Sequence, residues 1–126
     1  MNKYLVGVAL FLSCSLSNAI TYKAAVDGKV LRMDGGTCAG ISLTKKSGLM
    51  GEQPLANCKL DLPARVKWLS DDTFMMVETE RNNESSPPRV YISKIKSVKG
   101  NKVVISDIWT GWGNHKDEDI SYTITK

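Results

Sequence analysis

The sequence predicts an all-β domain, a small antiparallel sandwich or barrel of about seven to eight strands with one disulfide. Apolar and polar residues alternate in short runs rather than at helical spacing. Turn dipeptides such as Asp27-Gly28 and Gly100-Asn101 separate these runs. Of the three cysteines in the chain, Cys38 and Cys58 fall inside the predicted domain. Together these observations favour an all-β fold that is cross-linked by a disulfide.

The first 19 residues have the pattern of a cleavable bacterial signal peptide. Lys3 supplies the positive charge, Tyr4–Leu12 is an apolar run, and Ser17-Asn18-Ala19 places small residues at a cleavage site. Because the run is shorter than the roughly 20 residues that span a bilayer, a transmembrane anchor is disfavoured. We therefore expect a signal peptide at 1–19 and a single β-rich domain at 20–126.

A lipoprotein signal is the alternative for this segment. Cys14 follows Ser13, and in a lipoprotein it would be the lipidated first residue. Cleavage after Ala19 would release a free periplasmic domain, whereas processing before Cys14 would leave a lipid-anchored one. The sequence favours the free periplasmic domain.

The two cysteines of the domain form an even pair, as expected of an exported protein. A Cys38–Cys58 bridge would close a loop of about 20 residues and stabilise the fold by roughly 3 kcal/mol in the chain-entropy description. Two buried free thiols are the alternative, and the oxidising compartment argues against them.

The first half of the domain is predicted from its turn residues. Thr21–Val26 and Lys29–Met33 are expected to form a hairpin through Asp27-Gly28, because such a pair readily takes the positive φ angles of a tight turn. Residues 37–61 are expected to be rich in loops, with a short strand at Ile41–Thr44. Glycines and a proline disfavour a long helix there.

The second half shows clearer alternation. Its predicted strands are Arg65–Leu69, Thr73–Glu80, Arg89–Val98, Lys102–Trp109 and Asp119–Thr125. The polar stretch Arg81–Pro88 is expected to be a surface loop. The last strand places Ile120, Tyr122 and Ile124 on one face, which predicts a sheet buried on one side. If that strand lies at an edge, it would allow homodimerisation.

Charge and motifs exclude several classes of function. The net charge is +4, and lysines alternate with apolar residues instead of forming the stripe expected of a nucleic-acid binder. No nucleophile motif or phosphate-binding glycine loop is present. The sequence thus predicts a protein that is not an enzyme and binds no cofactor or metal.

The acidic residues and the single histidine, His115, are weak candidates for chemistry. The run Asp117–Asp119 lacks the alternating ligands and glycine of a calcium loop. Glu78 and Glu80 share one strand face, a spacing compatible with glycosidase carboxylates but more typical of solvated side chains.

The strongest candidate for binding is the connection before the last strand. Trp112 lies between Gly111 and Gly113, and Asn114 and His115 follow. Glycines permit unusual backbone angles, and tryptophan is enriched among residues that dominate protein interfaces. The alternative is that Trp112 folds back and caps the sheet. The polar flanks favour exposure.

Four features together resemble the small periplasmic immunity proteins that bacteria pair with cell-wall-degrading effectors of type VI secretion. They are the signal peptide with its Ser17–Ala19 site, the compact β-rich domain, the Cys38/Cys58 pair and the Trp112–His115 loop. The chain is also broadly similar to periplasmic lysozyme inhibitors. The resemblance implies a protein partner, such as a secreted peptidoglycan hydrolase, whose active site the chain occludes.

In that interpretation the Gly111–His115 loop enters the active-site groove of the partner. Trp112 is the apolar anchor, and Asn114 and His115 form hydrogen bonds with catalytic carboxylates. The Arg81–Pro88 loop is a second contact. Two other classes of binder stay open, namely an accessory subunit of an envelope assembly or adhesion system and a carbohydrate-binding module. The latter would stack sugar rings on Trp68, Trp109 and Trp112.

Overall fold

The structure is a computed structural model that describes residues 20–36, 39–44, 47–51, 60, 62–80 and 85–125. The predicted signal peptide with Cys14, the two cysteines of the predicted disulfide, Cys38 and Cys58, and residues 81–84 of the predicted polar loop lie outside the described residues. Within the described residues, no helix has the length and apolar character needed to cross a membrane.

In the part of the chain that the structure describes, one short helix precedes eight strands. In chain order the elements are α1 (Tyr22–Val26), β1 (Val30–Met33), β2 (Gly40–Ser42), β3 (Ser47–Gly51), β4 (Leu62–Trp68), β5 (Thr73–Glu78), β6 (Val90–Lys99), β7 (Lys102–Ile108) and β8 (Glu118–Thr125). Each strand pairs antiparallel with the next one, and β8 returns to pair with β1. The all-β prediction is confirmed, and the architecture is a closed barrel rather than a sandwich.

Closure of the barrel corrects one expectation. The last strand, β8, is hydrogen-bonded on both sides. Its Thr123 lies opposite Lys102 of β7, and its Thr125 lies opposite Val30 of β1. The prediction that Asp119–Thr125 offers a free edge for homodimerisation is therefore wrong. A closed barrel pairs the backbone groups that an edge strand would leave open.

The predicted hairpin at the start of the domain is also wrong, because the segment before Asp27 is the helix α1. The Thr21 hydroxyl caps this helix by accepting a hydrogen bond from the Ala24 N–H at 3.2 Å. Val26 is fully buried in the barrel core. Gly28 does lie in a turn, with φ of 74°, but this turn connects α1 to β1 and not two strands.

The sequence also failed to reveal β3. Gly48 in this strand faces the barrel interior, where a Cβ atom would lie 2.5 Å from the carbonyl oxygen of Ser42 and 2.7 Å from Cγ2 of Val66. The neighbouring strand β2 overlaps the predicted strand Ile41–Thr44. Glycine is needed at position 48 because a side chain would not fit there, and its presence lowers the apparent strand propensity of β3.

The core lies inside the barrel and is formed by inward-facing side chains of the strands together with Val26 of α1. Its largest fully buried members are Phe74, Leu31, Met76, Ile95, Val26 and Val103. Ile120, Tyr122 and Ile124 on β8 all belong to or pack against this core, which confirms the predicted inward face. Met76 is buried whereas Met75 is half-buried, because successive residues of a strand face opposite sides.

The two ends of the barrel differ. At one end, which we name the helix end, α1 covers the core, and the turns after β4 and β6 lie at this end. The Lys23 N–H donates to the Asp71 carbonyl at 2.8 Å, and the Tyr22 hydroxyl donates to the Lys96 carbonyl at 3.3 Å. At the other end, the loop end, β1, β3, β5 and β7 finish.

Candidate functional site

The loop end carries the connection between β7 and β8, residues 109–117, which we name the rim loop. The Trp109 N–H donates a hydrogen bond to Oδ1 of Asp117 at 2.9 Å and so joins the two ends of the rim loop. The Thr110 hydroxyl donates to the Val90 carbonyl of β6 at 3.3 Å. These contacts hold the loop against the barrel.

The rim loop folds around the ring of Trp109. The Trp109 indole N–H donates to the Gly113 carbonyl at 3.2 Å, and the His115 ring packs edge-on at 4.6 Å between centroids. A Cβ atom at Gly111 would lie 2.5 Å from the Trp109 ring, so only glycine fits there without a shift. Gly113 has φ of 76°, a conformation that favours glycine.

This arrangement turns Trp112 outward. Its side chain is 96% exposed, compared with 44% for Trp109. Of the two positions considered from the sequence, Trp112 occupies the exposed one, and Trp109 is the tryptophan that folds back. Both glycines beside Trp112 have structural roles in the turn that displays it.

The predicted partner-binding residues Gly111, Trp112, Gly113, Asn114 and His115 are therefore neighbours on one loop, and all are exposed. His115 keeps its position through its contact with the Trp109 ring. Because these residues are consecutive in sequence, their proximity was certain. What the structure adds is that the ring of Trp109 contacts this loop and holds its conformation.

The third tryptophan lies elsewhere. Trp68 ends β4 at the helix end, where its ring packs on Phe74 at 5.1 Å between centroids. The Lys23 ammonium lies over the Trp68 ring at 5.5 Å. Trp68 therefore does not join Trp109 and Trp112 in a stacking platform.

The predicted second contact, Arg81–Pro88, is described only from Ser85 onward, and this described part is exposed. Next to it, the Arg89 guanidinium pairs with the Glu78 carboxylate at 2.7 Å, and the Arg89 backbone N–H donates to the same carboxylate at 3.1 Å. Glu78 is thus an anchor for the chain after the loop, whereas Glu80 lies beyond β5 and is exposed.

Sequence reasoning missed a second feature, a cavity of about 330 Å³ in the loop-end half of the barrel. Its lining residues come from all eight strands and from Ala39, which directly precedes β2: Met33, Ala39, Gly40, Ile41, Met50, Gly51, Leu62, Met76, Tyr91, Ser93, Ile105, Asp107, Ile120 and Tyr122. Most of these side chains are apolar. An interior cavity is a common ligand site in eight-stranded barrels.

A polar group lies on one wall of this cavity. Asp107 on β7 is directly opposite Ser93 on β6, and the Ser93 hydroxyl donates a hydrogen bond to its carboxylate. Burial raises the pKa of Asp107, and the negative charges of Glu118 and Asp117 add to this effect. The alternation of Val103, Ile105 and Asp107 in the sequence was the signal that this carboxylate faces inward.

Tyr122 extends this polar wall onto β8. Its side chain is buried, and burial raises its pKa to about 12, with smaller contributions from the charges of Asp107 and Glu118. Within the part of the chain that the structure describes, no group of three His, Cys, Asp or Glu side chains is arranged to hold a metal ion. The cavity thus combines apolar walls with one acidic pole.

Comparison of the chain with protein-family models, curated proteins and solved structures gave no match. The class that the fold and these two features define is a small closed-barrel protein with a displayed tryptophan and an internal cavity.

Proposed function

We propose that the chain is a protein-binding inhibitor, an immunity protein of the bacterial periplasm that occludes the active site of a cell-wall-degrading toxin or lysozyme-like enzyme. The observation that carries this proposal is Trp112, 96% exposed on a loop that is held by hydrogen bonds and ring packing. Tryptophan is enriched among the few residues that dominate binding energy at protein interfaces, so a fully displayed tryptophan on a braced loop is a suitable anchor for a partner.

A braced loop makes an efficient contact. Binding orders flexible side chains and loops at a cost in free energy, and a loop that is already ordered avoids much of this cost. The rim loop is ordered before a partner binds, because Trp109 donates hydrogen bonds to the Gly113 carbonyl and to Asp117. Trp112 would then act as an anchor that enters a pocket of the partner.

The surroundings of Trp112 suit the groove of a wall hydrolase. Such enzymes act through acidic side chains, and Asn114, His115 and Lys116 are exposed beside Trp112. Their N–H groups would donate hydrogen bonds to these carboxylates, while the tryptophan fills the apolar part of the groove. Half-exposed Trp109 and exposed Val90 would extend the apolar contact at the barrel rim.

The proposal places the protein in an oxidising compartment, where a Cys38–Cys58 bridge would form. Such a bridge would stabilise the domain that carries the rim loop.

The test is inhibition of peptidoglycan hydrolysis. The secreted proteins of competing bacteria digest purified dye-labelled peptidoglycan, and the chain is added as wild type or as a variant. We expect wild type to inhibit dye release and Trp112→Ala to bind its partner more weakly by about 2 kcal/mol, as hot-spot tryptophans do. Leu69→Ala is the matched control, because Leu69 is an exposed apolar residue at the helix end. Equal inhibition by wild type and Trp112→Ala would remove the rim loop from the mechanism.

Carbohydrate binding is the second candidate, because the rim loop exposes both Trp109 and Trp112. Aromatic rings stack on sugar faces through the same apolar area that serves a protein contact. Sedimentation of the protein with insoluble peptidoglycan separates the two functions. A carbohydrate-binding module pellets with the glycan in the absence of any enzyme, whereas an inhibitor stays in the supernatant.

A further inference from the structure

The barrel cavity has the dimensions of a small-molecule site. Its volume of about 330 Å³ lies at the lower end of the range of about 300–1,000 Å³ for ligand pockets. It is roughly twice the size of an engineered cavity of about 150 Å³ that binds benzene. The cavity therefore has room for one aromatic ring with a short side chain.

The lining of the cavity favours apolar ligands and can adapt to ligands of different shapes. Three methionines, Met33, Met50 and Met76, enter from different strands. Their flexible side chains and polarizable sulfur atoms adapt to irregular ligands and pack well against aromatic rings. Ile105 and Ile120 complete an apolar surface on the side of β7 and β8.

The acidic pole favours a positive charge on that ligand. Among the described residues, Asp107 receives a hydrogen bond from Ser93, and the charged groups that act on it are Glu118 and Asp117, both negative. Within the described residues, no ion pair joins Asp107 to a lysine, arginine or histidine. A half-buried carboxylate that receives only a neutral donor can still bind a cation.

The tyrosines of the cavity support the same choice. Tyr91 on β6 and Tyr122 on β8 both line the cavity, together with Asp107 on β7 between them. The face of a tyrosine ring attracts a cation, and more strongly where water is excluded. An anionic ligand would instead meet the repulsion of Asp107, Asp117 and Glu118.

We propose that this cavity binds a small organic amine, with its aromatic or aliphatic body among the methionines and its protonated nitrogen paired with the Asp107 carboxylate. This site lies inside the barrel, and it does not depend on the function proposed for the rim loop. Trp112→Ala should leave amine binding unchanged, so that failure of one proposal is separable from failure of the other.

The experiment uses protein recovered from bacteria that express the full chain, with its methionine methyl groups labelled with ¹³C for NMR. The probes are phenethylamine and its neutral analogue 2-phenylethanol, titrated to millimolar concentration. We expect phenethylamine to shift the methyl signals of Met33, Met50 and Met76. Met75 faces away from the cavity and serves as the internal control. We expect the amine to bind about tenfold more tightly than the alcohol, since its nitrogen forms a charge-assisted hydrogen bond.

Two variants with the same change in charge complete the design. Asp107→Asn keeps the size of the side chain and should abolish the preference for the amine. Asp119→Asn removes an exposed carboxylate on β8 outside the cavity and should retain the preference. The proposal is overturned if no cavity methyl shifts with phenethylamine, or if the wild-type protein binds the alcohol as tightly as the amine. The wild-type comparison stands even if Asp107→Asn does not fold.

Discussion

The indole N–H of Trp109 donates a hydrogen bond to the carbonyl oxygen of Gly113, four residues later in the chain. This bond closes the rim loop over the Trp109 ring, and the intervening Trp112 is left pointing into solvent. The two tryptophans therefore have different roles. Trp109 maintains the loop conformation, and Trp112 is available for contact.

The first prediction concerns this division of roles. Trp109→Phe keeps an aromatic ring but removes the N–H donor to Gly113, so the rim loop should become more mobile. Faster amide hydrogen exchange over residues 110–117 and lower fluorescence anisotropy of Trp112 would show this. The change in global stability should stay within about 1 kcal/mol, since a neutral hydrogen bond contributes about that much. Unchanged exchange would mean that the indole bond does not order the loop.

The second prediction concerns Gly111. A methyl group at this position would lie 2.5 Å from the Trp109 ring, so Gly111→Ala must displace that ring. We expect a change in the near-ultraviolet circular dichroism of Trp109 and weaker inhibition by the protein. Asn114→Ala is the control for the spectrum alone, because Asn114 is exposed on the same loop but is itself a proposed contact residue whose loss would also weaken inhibition. Identical spectra for the two variants would contradict the packing of Gly111 on Trp109.

The third prediction compares two adjacent methionines of β5. Met76 is 1% exposed and packs in the core, whereas Met75 is half-buried on the outer face. Met76→Ala should lower the free energy of unfolding by about 2–5 kcal/mol, the range for large-to-small substitutions in cores. Met75→Ala should have a clearly smaller effect. Urea unfolding of both variants measures the difference. Equal losses in the free energy of unfolding would contradict the orientation of β5, in which Met76 faces the core and Met75 faces outward.

Much of the second half of the barrel could be predicted from the sequence. There β4 to β8 alternate apolar and polar residues, and turns such as Gly100-Asn101 separate them. The first half was harder because its signals are ambiguous. Asp27-Gly28 ends a helix here, although the same dipeptide is typical of hairpins. The helix is too short to show periodicity, and what fixes it is the burial of Val26 at the end of the barrel.

The candidate sites were predictable to different degrees. Trp112 between two glycines indicated a displayed residue, because the local sequence alone contains that information. The cavity could not be predicted in the same way. It depends on the register that sets Ser93 beside Asp107 and on closure of β8 against β1. Both are long-range pairings, and period-two alternation indicates only that Asp107 faces inward.

The fourth prediction concerns alkaline pH. Burial raises the pKa of Tyr122 to about 12, above its ordinary value of 10.0, so the folded state holds this proton more tightly than the unfolded state does. The resulting stability is present below about pH 10 and is lost as the pH rises towards about 12. The rise of the Tyr122 pKa from 10.0 to about 12 corresponds to roughly 3 kcal/mol at most.

Tyr122→Phe removes the titrating hydroxyl, so its free energy of unfolding should fall less steeply than that of the wild type as the pH rises above 10. Urea unfolding at a series of alkaline pH values measures the two slopes. Tyr22→Phe is the control, because Tyr22 is an exposed tyrosine at the helix end, and this variant should retain the wild-type slope. Parallel curves for wild type and Tyr122→Phe would contradict the burial of an ionisable hydroxyl beside Asp107. A shallower curve for Tyr122→Phe alone would place that hydroxyl in the low-dielectric wall of the cavity, where the acidic pole of the proposed amine site lies.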